Sequence, residues 1–550
     1  MFSPTRLTRT NYETEAAAAS DLGGIEIARG KPVITIGLGT IVYNPEAVVI
    51  IFAAGEAKAR MAADAIQEER HVLRPASVLQ GLPNARFYLT RGATIELRER
   101  NLDSILKMES IPEERLERAV LDCALNVEKR LDQLIESDAE TDPLLRAVLR
   151  RAERRLPEAA AWTRDRLFRK IERGLENPPN QIILHTGPHH DDIMLGYMPY
   201  IMHLVRHASN VNAFAILTSG FTAVTNKFLA SVLEDLVGFL EQREYERDAV
   251  EGAFLGGGES ARAAEVYRYL DGIAARDDRM RRRAQARRML FNVMNIYEED
   301  DLDNVRMRLE ENLHYLRTQY PGKKDIPLIQ SMKGMQREYE EELIWGYVGA
   351  APNSVHHLRL GFYTGDIFTE SPTIERDVKP VLALLAQLKP TLVSVALDPE
   401  GAGPDTHYKT LQVVHEALMR YRRETGESPS VLGYRNVWRR FHPAEANMYI
   451  PATLNTMAIM EHSFMHCFGS QRDASFPSYE YDGPFSELAQ KNWVGQYQAI
   501  RSCLGERFFV ENAHPRLRAA RGFLFLREMA LDEFSGEARL LAKITEGTAP

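Results

Sequence analysis

Short apolar runs closed by glycine, proline or charged residues recur along the chain and alternate with stretches of helical spacing. Val33 to Ile41, Val48 to Phe52, Ile182 to Leu184, Asn212 to Thr218 and Leu392 to Leu397 read as strands. Glu56 to Arg70, most of Glu109 to Arg173, Met194 to Arg206, Val378 to Leu388 and Tyr408 to Tyr421 read as helices. Asp235 to about Gln319 is mostly helical and highly charged, and the α/β pattern is clear again from His357 to Tyr363. Near the end, Gly433 to Trp438 and Pro451 to Thr453 suggest a further strand and helix, and Leu517 to Met529 an amphipathic helix. The breaker cluster Glu176-Asn177-Pro178-Pro179-Asn180 marks a boundary. The class is therefore α/β. The parts are a partial α/β segment (1–105), a helical connector (106–178) and a larger domain (179–550) with a helical insertion at about 235–325.

The sharpest chemistry follows the run Ile182-Ile183-Leu184-His185-Thr186. Gly187-Pro188 stops the strand, and His189, His190, Asp191 and Asp192 come next. Ligands of α/β folds bind just beyond the carboxyl ends of strands, and imidazole with carboxylate is a common catalytic zinc set. The strand Leu392 to Leu397 likewise ends in Asp398, Glu400, Asp405 and His407. A lone His407 would read as a loop or capping histidine; set beside the first cluster, it reads as a ligand. A third signal lies near the N-terminus, where a strand, Gly55 and a helix start carry Lys58. Such a turn can cradle a phosphate, or it is a plain βα unit with a surface lysine.

Composition narrows the field. A chain of 550 residues exceeds one compact core. The formal charge of -9 argues against a general nucleic-acid binder, and the arginine run from Arg276 to Arg288 is followed by Glu298-Glu299-Asp300-Asp301. That run reads as a solvated or subunit-contacting insertion, which leaves room for a homo-oligomer. The odd number of three cysteines points to a reducing, cytoplasmic setting. No apolar run approaches the roughly 20 residues of a membrane span, and the N-terminus lacks the core of a signal peptide.

Two resemblances add to this reading. The segments T-I-G-L-G-T-I (35–41), V-V-I-I-F-A-A-G-E-A-K-A (48–59), R-P-A-S-V-L-Q (74–80) and F-Y-L-T-R-G-A-T-I-E-L (87–97) resemble the C-terminal part of the glucosamine-6-phosphate isomerase/deaminase family. That resemblance implies a sugar-phosphate contact for Lys58, with the family's acid/base residues lying upstream of this segment. The second half resembles the PIG-L/LmbE zinc-dependent N-deacetylases, whose signatures are H-P-D-D-E and a later H-P-D-H. Here they stand as His189-His190-Asp191-Asp192-Ile193 and Gly403-Pro404-Asp405-Thr406-His407, with Arg337-Glu338-Tyr339-Glu340 and L-R-L-G-F-Y between them.

This second resemblance implies a Rossmann-like domain, Zn2+ or another divalent metal on His189, Asp192 and His407, and Asp191 as general base. Arg337 and His190 become substrate contacts, although an ion pair suits Arg337 equally. The sequence departs from the family at His190, Ile193 and the position near Pro404, where an oxyanion-stabilising histidine is expected; His185 and His190 are the available substitutes. The expected activity is metal-dependent deacetylation of an N-acetylglucosamine-type sugar or its phosphate, without a nucleic-acid or membrane partner. The alternatives are a deaminase/isomerase with an incomplete site and a non-catalytic sugar-phosphate-binding protein.

Overall fold

The computed structural model describes residues 3–10, 15, 28–242, 258–319, 323–366, 369–399, 405–437, 439–472, 481 and 483–546. The chain is mixed α/β. Its strands are β1 (Arg6–Arg9), β2 (Pro32–Thr35), β3 (Val49–Ala53), β4 (Ala85–Leu89), β5 (Ile182–Gly187), β6 (Val211–Ile216), β7 (Val355–His357), β8 (Leu392–Ala396), β9 (Ser430–Tyr434), β10 (Met448–Thr453) and β11 (Ala520–Met529). β5 to β11 form one seven-stranded sheet in the order β10-β11-β9-β8-β5-β6-β7.

Five neighbouring strands, β7-β6-β5-β8-β9, run parallel. The chain steps from β5 outward through β6 to β7, then returns to the other side of β5 and steps outward through β8 to β9. β5 and β8 therefore flank the point where the direction of progress reverses, and a ligand crevice opens there in doubly wound sheets. The sequence of β5 and β8 explains their central place. β8 is buried along its whole length, and β5 is buried at every position except its first, as near-continuous apolar runs require in a sheet covered on both faces.

Most expected elements form near their expected limits: helices span Asp192–Val205, Lys379–Leu388 and Asp405–Thr425. Three readings change. Pro451–Thr453, expected to be helical, ends strand β10, and the helix begins only at Leu454. Ala520–Met529 is a strand, paired antiparallel with β10 and β9, where a helix was expected. Its run Gly522-Phe523-Leu524-Phe525-Leu526 is aromatic and apolar on both faces, and both faces are covered here. Val33 to Ile41 also divides: only Pro32–Thr35 is strand, and Leu38–Tyr43 turns into a helix after Gly37.

The helices Glu113–Asn126, Pro143–Arg151 and Leu156–Leu175 share a hydrophobic core with the large sheet. Lys170 reaches across to the carbonyl of Pro443 (3.0 Å) while pairing with buried Glu117 (2.5 Å). The inserted helices pack around Leu233, Leu236, Met289, Val293, Val305 and Leu309. Within the arginine run, Arg287 and Arg288 turn inward rather than toward solvent. Arg288 makes two 2.7 Å bonds to Glu342, and Arg287 lies 3.7 Å from Glu265. No described helix is long and apolar enough to cross a membrane.

At the N-terminal end, β3 and β4 pair in parallel, and Gly55 (φ 86°) turns the chain into the short helical stretch that carries Lys58. Lys58 is exposed, and this turn is tied to the segment after β9 through Arg439, which donates to the carbonyl of Glu56.

Candidate functional site

The carboxyl ends of β5 and β8 bring their polar residues together. His189 follows β5, Asp192 opens the helix Asp192–Val205, and His407 sits in the first turn of Asp405–Thr425. The His189 and His407 ring centroids are 5.5 Å apart, and His407 Nε2 lies 3.4 Å from Asp192 Oδ2. The helix bearing Asp192 packs closely because Gly196 leaves room for Tyr434: a Cβ there would stand 2.5 Å from that ring. Tyr434 in turn donates to the carbonyl of Thr186 at 2.9 Å, tying β9 to β5.

Hydrogen bonding sets the tautomers of both histidines. Thr218 Oγ1 gives its proton to the carbonyl of Pro188 (2.7 Å), so it accepts from His189 Nδ1 (2.7 Å). His189 Nε2 is then an acceptor, and the Thr406 hydroxyl occupies it at 2.8 Å. His407 Nδ1 bonds to Asp398 Oδ2 at 2.7 Å. Carboxylate-backed imidazoles of this kind are common among metal-ligating histidines.

The charges are strongly coupled. Burial lowers His189 well below an ordinary histidine, and His407 and Arg337 push in the same direction, so it is neutral. Burial opposes the charge on His407 as well, but Asp192 and Asp398 outweigh it and hold the imidazole at about 9. Burial raises Asp192, against the pull of His407. His407 is thus held in its cationic form between the side chains of Asp192 and Asp398.

Two imidazoles and one carboxylate suit a divalent metal in donor chemistry, and the two Nδ1 hydrogen bonds leave both Nε2 atoms for ligation. In this conformation, no group of three or more His, Cys, Asp or Glu side chains among the described residues stands at metal-holding spacing. His189 Nε2 is turned to Thr406, and closing the set requires that bond to be released.

The other expected residues divide. Asp191 lies beside the centre with its side chain partly open, and Arg337 approaches its Oδ1 at 3.6 Å. Arg337 is buried in ion-pair geometry, 3.4 Å from Glu340, 3.3 Å from Ser470 and stacked over Phe468. His190 is fully buried, with neither ring nitrogen hydrogen-bonded. It packs on Gly220, where a Cβ would meet Nδ1 at 2.8 Å, and stacks on His357. His185 is interior to β5, bound to Tyr197 (2.7 Å) and Asn212 (3.1 Å), and burial lowers it to about 4. Of the second strand end, Asp398 joins His407, whereas Asp405 turns to Thr369 and Lys409. Glu400 and Pro404 lie outside the described residues.

Sequence reasoning assigned no role to Thr218, Thr406 or Asn436, and it placed Asp398 at the second strand end without naming its partner. Asp398 carries a readable signal as the first polar residue after a buried strand, and Thr218 has the same place after β6. Asn436 follows β9, whose end the sequence left indistinct.

Comparison with protein-family models, with curated proteins and with solved structures gives no match.

Proposed function

We propose that this chain is a metal-dependent amidohydrolase of the PIG-L/LmbE kind that removes the acetyl group from an N-acetylglucosamine-type sugar or its phosphate. The observation that carries the reading is the meeting of His189, Asp191 and Asp192 with Asp398 and His407 at the β5/β8 strand ends. His189, Asp192 and His407 would hold the ion, with Zn2+ the first choice for this donor set. When bound, such an ion lowers the pKa of a water and polarises an amide carbonyl.

The protein's own groups do the rest. Asp191 accepts a proton from the attacking water and returns it to the departing nitrogen as the C–N bond breaks. Water adds to the carbonyl carbon, so the products are acetate and a free amino sugar. Arg337, 3.6 Å from Asp191 Oδ1, limits the rotation of its side chain. Asp398 fixes the tautomer and the orientation of His407.

The test is acetate release from a panel of N-acetylated amino sugars and their phosphates by the zinc-loaded chain. The reading expects release that Asp191→Asn lowers by about 100-fold or more. Equal release by parent and variant would remove Asp191 from the chemistry. Ammonia in place of acetate would favour deaminase chemistry.

A further inference from the structure

The end of β9 contributes a group to this centre that neither sequence motif contains. Asn436 is buried, and its Nδ2 donates to Asp192 Oδ1. Its own Oδ1 accepts from the main-chain N–H of Val437 at 2.6 Å. These two partners fix which way the amide faces: the carboxylate needs a donor, and the N–H needs an acceptor. The Asn436 main chain also reaches Asp398, with its N–H 3.4 Å from Oδ1. One residue thus touches both carboxylates that flank His407.

The consequence falls on Asp192. Its Oδ1 is taken by Asn436, and its Oδ2 accepts from the main-chain N–H of His189 at 2.7 Å. Each oxygen thus accepts one hydrogen bond, and it is Oδ2, with its second lone pair, that faces His407 Nε2 at 3.4 Å. We propose that Asn436 is a positioning residue that makes Asp192 a one-oxygen donor aimed at the space between His189 and His407. The inference rests on the metal-centre reading above. It adds that a third strand end, not only β5 and β8, sets the coordination.

Cobalt(II) substitution tests it, because the visible spectrum reports coordination number independently of turnover. Parent, Asn436→Asp and Asn436→Leu are compared for Co2+ affinity and spectrum. Asn436→Asp retains the volume and the acceptor for Val437 but loses the donor, so it remains informative should the leucine variant fail to fold. The proposal expects the parent to give the intense bands of a four-coordinate ion. Both variants should bind about 10- to 100-fold more weakly, the range typical for loss of an outer-shell partner. Their bands should be weaker as well, because Asp192 is then free to offer both oxygens. Variants with the parent's affinity and spectrum would overturn the role of Asn436 and leave the metal centre standing. A parent that binds no Co2+ would overturn the metal reading itself, and this inference with it.

Discussion

His407 and Asp398 share a 2.7 Å bond from Nδ1 to Oδ2, which leaves Nε2 facing Asp192 at 3.4 Å. This contact gives the loop after β8 its chemical direction. It fixes the tautomer, keeps the ring from rotating and raises its basicity. Asp398→Asn should therefore weaken zinc binding by about 10- to 100-fold, measured by competition with a chromogenic chelator. An unchanged affinity would show that His407 is oriented by its packing alone.

The same contacts make the metal-free chain pH-sensitive. His407 moves from 6.5 to about 9 on folding, so the protonated form is the one stabilised by the fold. Its contribution is complete below pH 6.5 and is lost as the pH rises through 9. The span corresponds to about 3 kcal/mol. Burial raises Asp192 too, and so acts with the same sign at lower pH. Chelator-treated protein should lose thermal stability between pH 6.5 and 9. Zinc, which needs the deprotonated ring, should flatten that decline and bind more tightly as the pH rises. A flat profile without metal would contradict the charge assignment.

A second buried pair bears on stability alone. Arg288 of the inserted helix Asp278–Tyr297 and Glu342 of the helix Pro327–Tyr347 form two 2.7 Å bonds, and although burial opposes it, Arg288 holds Glu342 at about 2. Arg288→Met leaves a buried carboxylate without its partner and should cost about 3–5 kcal/mol in chemical denaturation. Adding Glu342→Leu should recover most of that loss. A double variant as unstable as the single one would show that packing, not charge, sets the cost.

Gly220 has a conformational reason to be glycine. Its φ of 59° is left-handed, and a Cβ would strike His190 Nδ1. Gly220→Ala should destabilise the fold by about 1–3 kcal/mol, read by thermal unfolding. A neutral result would mean that His190 is free to move.

The sequence discloses its strand ends better than their partners. Gly187-Pro188 and the polar residues after Leu397 are local signals, because a buried strand must stop before charge can be tolerated. The meeting of His189 with His407, 217 residues before Thr406 and 218 before His407 itself, depends on strand order, which periodicity does not encode. The donors on the far side are harder still: Asn436 matters only because β9 lies beside β8. Leu517 to Met529 misleads for a related reason, since an apolar run buried on both faces has no period to read. His190 looks like a ligand in sequence, yet its ring packs against Gly220 and His357, as the alternation of neighbours at a strand end allows.

The most direct measurement is the metal content of the purified, untagged chain by mass spectrometry, beside His189→Ala and His407→Ala. The account predicts about one zinc per parent chain and a large loss in both variants. A parent without metal, or variants that keep it in full, would contradict a centre built from the ends of β5 and β8.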